Sequence, residues 1–498
     1  MKNKLLFSLG TMSAIALPTA TSIACSSPLS NIGPWKNLSD LAFYNYLDYI
    51  NPGSSKKRIE QKYDYVEFGD LPELRRAIQE ERVAAGVGSD YYNVILVEKQ
   101  LINKIDFSKV LKITKDKTRW RAELKRLFSD QAMKIMDAFK LNRRNRQGDL
   151  LDASGNVTTD INQASNDIDG DGQEDYLWEY MLPYFIQSKV VGINPFKIEE
   201  TTANKAFLDT LKGTARALGG YTIDQNAIQT LFNSDLSYEN IFKTLTKNGF
   251  KNLTINNYFR DNLMIGSEAN GKFTGYTTKD NYSSQVENFE RLIKIYNGKK
   301  VFVDSGTGSL NTLLKYNGDG YLKNTSDSDT ALLYNGDALY ARYGGTLSDE
   351  DEDEGKKRGD QIRIIKPENP SFLLDGIVFP YYLKPGKELD EIYEKVYNAL
   401  YQGIDWDINE NSYYSQENMV YQNFDFVNYT PVSKKLNQYI INEDQYFDSD
   451  DEYGKIILKH TQDSQSLINR FHVTQPISEN LESNIFYKYN KLVEKYSA

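Results

Sequence analysis

Cysteine is almost absent from this chain. Cys25 is the single one among 498 residues, so no disulfide can form within one chain and stability must come from packing. Histidine is nearly as scarce, with only His460 and His472. Zinc centres, Ser-His-Asp triads and Cys-His pairs are therefore poorly supplied, and no enzyme activity is expected. Positive charge is outweighed: the formal net charge is −10. That balance argues against a nucleic-acid partner, whose phosphates need a basic face. After the N-terminus, no stretch approaches the ~20 apolar residues of a transmembrane helix. Gly306-Thr-Gly-Ser309 lacks a lysine at the Walker spacing and reads as a helix entry rather than a phosphate loop. No internal repeat is visible.

What is present is a large apolar inventory, 40% hydrophobic and 13% aromatic, enough for more than one lobe. Lys2 and Lys4 precede an apolar run from Leu5 to Leu17, broken by Pro18. This is a signal-peptide pattern, expected to span residues 1–24. Ser22-Ile-Ala-Cys25 looks like a bacterial lipobox, so Cys25 is the expected lipidation site and residues 25–37 a tether. The protein is then expected on the extracellular face of the cell membrane, lipid-anchored.

Leu41–Ile50 reads as a strand stopped by Asn51-Pro-Gly53. Asp70-Leu-Pro-Glu73 is a capping box opening a helix, with Gly86 as its stop. Val94–Val97 reads as a buried strand. Strand, helix, strand in that order argues for an α/β class. Trp120–Leu141 is expected as one amphipathic helix. Met181–Tyr184 and Lys189–Asn194 are expected as two strands, and the charge run 349–358 as a solvated hairpin tip. Ser284–Tyr296 and Asn484–Tyr496 read as helices, as does the segment from Leu389 to Leu400 closed by Gly403.

Two stretches point to chemistry. Leu333-Tyr-Asn-Gly-Asp-Ala338 puts a ring and an acid at a strand-to-helix turn, and Phe372-Leu-Leu-Asp375 ends a strand in an acid. Aromatic faces beside fixed carboxylates suit a small organic cation, whose charge the acid pairs and whose methylenes the ring covers. Separately, Asp167, Asp169, Asp171, Gln173 and Asp175 place oxygen ligands at alternate positions, with Gly170 and Gly172 between them, as in an EF-hand-type loop, although Trp178 stands at its twelfth position. The pattern leaves two readings open, a structural Ca2+ site or a hydrophilic Asp/Gly-rich insertion, with no cofactor required otherwise.

With these residues in view, the chain resembles the extracytoplasmic polyamine (spermidine/putrescine) substrate-binding proteins of ABC importers, in lipoprotein form. The matching fragments run in family order: Phe43–Ile50, Tyr92–Val97, Asn103–Lys109, Leu182–Asn194, Leu333–Asp337, Phe372–Pro380 and Asn428–Pro431. The resemblance implies a two-lobed, type II periplasmic-binding-protein-like fold with crossing strands and an inter-lobe ligand cleft. It implies lobe one at 38–194 plus 376–474, and lobe two at 195–375 plus 475–498. It implies ligand-binding roles for Tyr46, Asp48, Tyr49, Asp261, Tyr334, Asp337, Asp375, Tyr429 and Gln475. Glu98 replaces a family residue near the second strand and is read either as a substitute amine partner or as a surface acid. The implied partners are a polyamine and the permease and ATPase subunits of an importer, with the receptor a monomer. The alternatives are another solute (thiamine, a sugar, ferric ion) or a role in adhesion.

Overall fold

The computed structural model describes residues 41–145, 149–160, 162–216, 221–256, 258–269, 272–296, 300–304, 306–314, 328–345, 352–368, 371–406, 417–442, 472–473 and 476–496. Contacts divide the chain into Met1–Lys36 and Asn37–Ala498, and every described residue belongs to the second unit.

The fold is mixed α/β around a large central sheet. Among the described residues the sheet has eleven strands. In chain order they are β1 (Ala42–Tyr46), β2 (Asp64–Phe68), β3 (Val83–Ser89), β4 (Leu182–Ile193), β5 (Asn252–Asn256) and β6 (Lys300–Asp304). There follow β7 (Thr330–Tyr334), β8 (Arg363–Ile365), β9 (Ser371–Val378), β10 (Thr430–Pro431) and β11 (His472–Val473). Hydrogen-bonded neighbours run β6-β5-β7-β4-β9-β3-β1-β2. The outer triplets are parallel, while β4 and β9 pair antiparallel with each other and with their outer neighbours.

β4 is buried along its whole length. Its first part, from Leu182 to Ser188, pairs with β9, and its second part, from Lys189 to Ile193, pairs with β7. Two hydrophobic cores follow this division. Val190 packs in the core of Leu74, Ile78, Phe372 and Ile377; Val191 packs in that of Leu253, Phe289 and Tyr489. One strand thus feeds both cores, and Lys189 sits where it changes partner. Leu310, Leu313 and Leu339, from the segment expected in lobe two, belong to the first core.

Local chemistry explains most elements. The helix α1 (Leu71–Gln79) is capped by Asp70, whose carboxylate accepts the Glu73 N–H at 3.0 Å. It ends at Gln79, and Gly86 lies instead within β3, where a Cβ would come 2.5 Å from Leu74 Cδ1. The strand expected at Val94–Val97 is a helix, α2 (Asp90–Glu98). Its apolar run is buried nearly all round, and such a run reads the same for a buried helix as for a buried strand. The two strands expected between Met181 and Asn194 are the single strand β4, because the polar triplet Gln187-Ser188-Lys189 stays in the ladder. The helix expected over Trp120–Leu141 is two, Trp120–Leu127 and Asp130–Asp137; Ser129 caps the second by accepting the Ala132 N–H at 3.2 Å. The expected hairpin tip is, over Glu352–Gly359, a helix with Lys356, Lys357 and Arg358 in its last turn. Cations there complement the helix dipole, and Arg358 pairs with Glu354 at 2.7 Å across one turn.

The register of β9 against β4 shifts between Asp375 and Gly376. A Cβ on Gly376 would collide with Met181 and lie 2.9 Å from the Leu182 carbonyl. Gly376→Ala is therefore expected to destabilise the fold by about 1–3 kcal/mol. A lowered denaturant midpoint with unchanged slope would show this.

Candidate functional site

Asp375 lies in the middle of β9, not at its end, and is fully buried. The ladder sets Ser89 of β3 directly opposite it. Ser89 Oγ donates to Asp375 Oδ1 at 2.7 Å, and Tyr49 Oη donates to Oδ2 at 2.8 Å. Gln187 Nε2, from β4, also donates to Oδ2. Burial pushes the carboxyl up to about 6, against the pull of these three hydrogen bonds. Asp375 is thus ionised at neutral pH, with neutral hydrogen-bond partners. A buried charge without a counter-ion costs several kcal/mol, roughly, and this one would be eased by a cation.

From Asp375 a line of tyrosines runs to a second group of acids. Ring centroids are 5.8 Å apart for Tyr46–Tyr49, 5.2 Å for Tyr49–Tyr429, 6.4 Å for Tyr429–Tyr334 and 6.2 Å for Tyr334–Tyr258. Tyr46 Oη lies 3.1 Å from Ser89 Oγ. Tyr429 Oη donates to Asp337 Oδ1 at 2.6 Å, and Tyr334 Oη donates to Asp261 Oδ2. Asp337 stands in the first turn of α3 (Asn335–Arg342), and Asp261 in that of the helix Phe259–Gly266. Gly336 lets the Tyr429 ring lie against the start of α3, since a Cβ would come 2.5 Å from the ring. Burial and then the neighbouring carboxylates raise the Tyr334 and Tyr429 hydroxyls well above their ordinary values, so they remain donors. Tyr258, 40% exposed, marks where the line reaches solvent.

A model of the hypothetical lipoprotein family MG045 matches residues 20–493. The chain belongs to that family. No curated protein matches it. Among solved structures, it is similar to a Listeria monocytogenes protein provisionally described as a spermidine/putrescine ABC transporter. The identity is 15%, with 92% of this chain and 98% of that chain covered and a TM-score of 0.48. For the TpPotD lipoprotein of Treponema pallidum the figures are 11%, 92%, 99% and 0.47. For MotA of A. tumefaciens, solved with glucopine, they are 9%, 91%, 99% and 0.45. Likeness at this level assigns no ligand.

The structure brings together Tyr46, Tyr49, Asp261, Tyr334, Asp337, Asp375 and Tyr429. It does not bring Asp48 or Glu98 to them. Asp48 follows β1 in a left-handed turn (φ 54°) that turns its side chain to solvent, with Glu67 and Lys56 as its charged neighbours. Glu98 is a buried internal brace: it accepts the Asn142 N–H at 3.0 Å and pairs with Arg144 at 2.7 Å. Gln475 and Cys25 lie outside the described residues. Sequence reasoning missed Ser89, Gln187 and Lys189. For the last two a signal existed, since polar residues within a strand buried on both faces need partners. An open cavity of about 600 Å3, lined by Phe196, Lys212, Tyr221 and Asp224, is separate and gathers none of these acids.

In the Asp-rich loop, carboxylate oxygens of Asp167, Asp169 and Asp175 lie within 4.8 Å of one another. Lys104 Nζ meets them, 2.5 Å from Asp175, 2.8 Å from Asp169 and 3.6 Å from Asp171. Burial by itself would lower the Lys104 pKa, but the contacts with Asp169 and Asp175 raise it, so the ammonium stays charged. Asp167 accepts backbone N–H groups of Gly170, Asp171 and Gly172 at 2.7–3.1 Å. Gln173 offers its backbone N–H to Asp171 at 2.8 Å. Lys104 thus brings a positive charge to the acids that the sequence pattern assigned to calcium. Millimolar calcium is expected to leave the melting midpoint unmoved, whereas Lys104→Met should lower it and make it respond to calcium.

Proposed function

We propose that the protein is a lipid-anchored extracellular receptor that captures a small aliphatic amine of the polyamine class. In this reading it carries the amine between its two cores and delivers it to the permease and ATPase subunits of an ABC importer. Cys25 is the lipid attachment point of this reading. The observation that carries it is Asp375, a fully buried, ionised carboxylate with three neutral donors and a tyrosine line leading away from it. An ammonium placed against Asp375 would supply the missing counter-charge in a water-poor setting, where the pairing is strong. Tyrosine faces would cover the methylenes and add about 0.5–2 kcal/mol of cation–π attraction each. Entry requires the two cores to part, because tyrosine hydroxyls already hold Asp261 and Asp337.

The test is a thermal-shift series with putrescine, spermidine and spermine. Ligand at a hundred times its dissociation constant adds about 2.7 kcal/mol to the folded state, so the midpoint is expected to rise. Asp375→Asn is expected to weaken binding by about 2–5 kcal/mol. An unmoved midpoint with every amine, or unchanged affinity in the variant, would remove the reading.

pH supplies an independent check. The raised Asp375 pKa means that the unliganded fold takes up a proton as pH falls through about 6, whereas an amine needs the ionised form. Affinity is expected to be full above pH 6 and to fall by up to about tenfold per pH unit below it. Titration calorimetry across that window reads the effect directly.

A further inference from the structure

We infer that Lys189 is a built-in amine filling one of three cation positions in the site, so that its ligand is a diamine and not a triamine. The inference rests on the amine-receptor reading and narrows it. The Lys189 side chain is 1% exposed and projects from the point where β4 passes from β9 to β7. Its ammonium lies 3.5 Å from the centroid of the Tyr334 ring and 5.8 Å from that of Tyr258. The carboxylate oxygen Asp261 Oδ2 is 3.6 Å away, and the ammonium makes no hydrogen bond. A ring face on one side and an acid on the other is how a bound alkylammonium would be held.

A count of charge gives the consequence. Asp261, Asp337 and Asp375 bring three negative charges to the tyrosine line, and Lys189 offsets one. Arg260 lies 4.8 Å from the Tyr91 ring, with Glu482 ahead of Asp261 among the carboxylates that stabilise its charge. Asp90 is held by the backbone N–H groups of Tyr91 and Leu374, at 2.6 and 2.9 Å. Two carboxylates are then left for ligand ammonium groups, one at Asp375 and one at Asp337. Gln187, which holds Asp375, and Lys189 are two residues apart on one face of β4, about 7 Å between their Cα atoms. A short diamine would lie along this span, with its second ammonium turned toward Asp337. A third ammonium would meet Lys189 in a buried site, and like charges there cost several kcal/mol, roughly.

The experiment is calorimetry of putrescine and spermidine with the wild type, Lys189→Met and Lys189→Arg. Met keeps the bulk of the side chain without its charge, and Arg keeps the charge. The wild type is expected to favour putrescine. Lys189→Met should shift the spermidine-to-putrescine affinity ratio toward spermidine by about tenfold or more. Lys189→Arg should preserve the wild-type preference, which a merely structural role for the position would not predict. Wild-type preference for spermidine, or a ratio unchanged in Lys189→Met, would overturn the inference while leaving the amine receptor standing. Should neither amine bind the wild type, both fall. Far-UV circular dichroism confirms that the variants fold, and a Lys189→Met chain that does not fold would overturn the inference by making the charge structural.

Discussion

A single buried carboxylate makes demands on most of the sheet around it. Asp375 can be ionised inside the protein only because three donors from separate segments converge on it: Tyr49 after β1, Ser89 at the end of β3 and Gln187 on β4. Those segments meet because β9 pairs with β3 on one edge and β4 on the other. The irregularity at Gly376 lies beside the acid, and the space there is filled by Met181. Displacing any of these strands would leave a charge buried without its hydrogen bonds, a far larger penalty than loss of an ordinary contact. The central antiparallel pair is therefore both the structural spine and the holder of the chemistry.

The same pair explains why the acids fall into two groups. Asp375 belongs to the strand shared with the first core. Asp261 and Asp337 begin helices that follow β5 and β7, strands of the other parallel triplet. Acids in the first turn of a helix are favoured by the exposed N–H groups there, which lets them keep a charge in a confined site. Tyrosines bridge the gap, each offering a face to a neighbouring ring, and Tyr49, Tyr334 and Tyr429 a hydroxyl to an acid as well. Lys189, at the point where β4 changes partners, is a cation that the fold itself sends into this space.

How much of this was legible beforehand depended on the range of the forces involved. Helices with one apolar stripe, such as that over Tyr282–Lys294, could be read from spacing, because the stripe is a local record of which side faces the core. The run around Val94–Val97 could not, because burial on nearly every side erases the period that separates helix from strand. The acid and ring beside Leu333–Ala338, and Asp375 itself, stood out by residue type. Asp48 stood out equally and is turned to solvent by one left-handed residue, which neighbouring sequence does not specify. Glu98 likewise carries the right charge, but Arg144 already holds it.

By itself, then, the sequence determined the α/β class, the scarcity of ligands for metal or nucleophilic chemistry, the signal-peptide and lipobox pattern, and the kinds of residue able to hold an amine. These follow from composition, periodicity and side-chain chemistry, all of which are local. Tertiary structure decided which acids lie together, that Lys189 accompanies them, and that Lys104 reaches the acids of the Asp-rich loop. Charges act through space, and only the pairing of distant strands brings residues 49, 89, 187 and 375 within hydrogen-bonding distance.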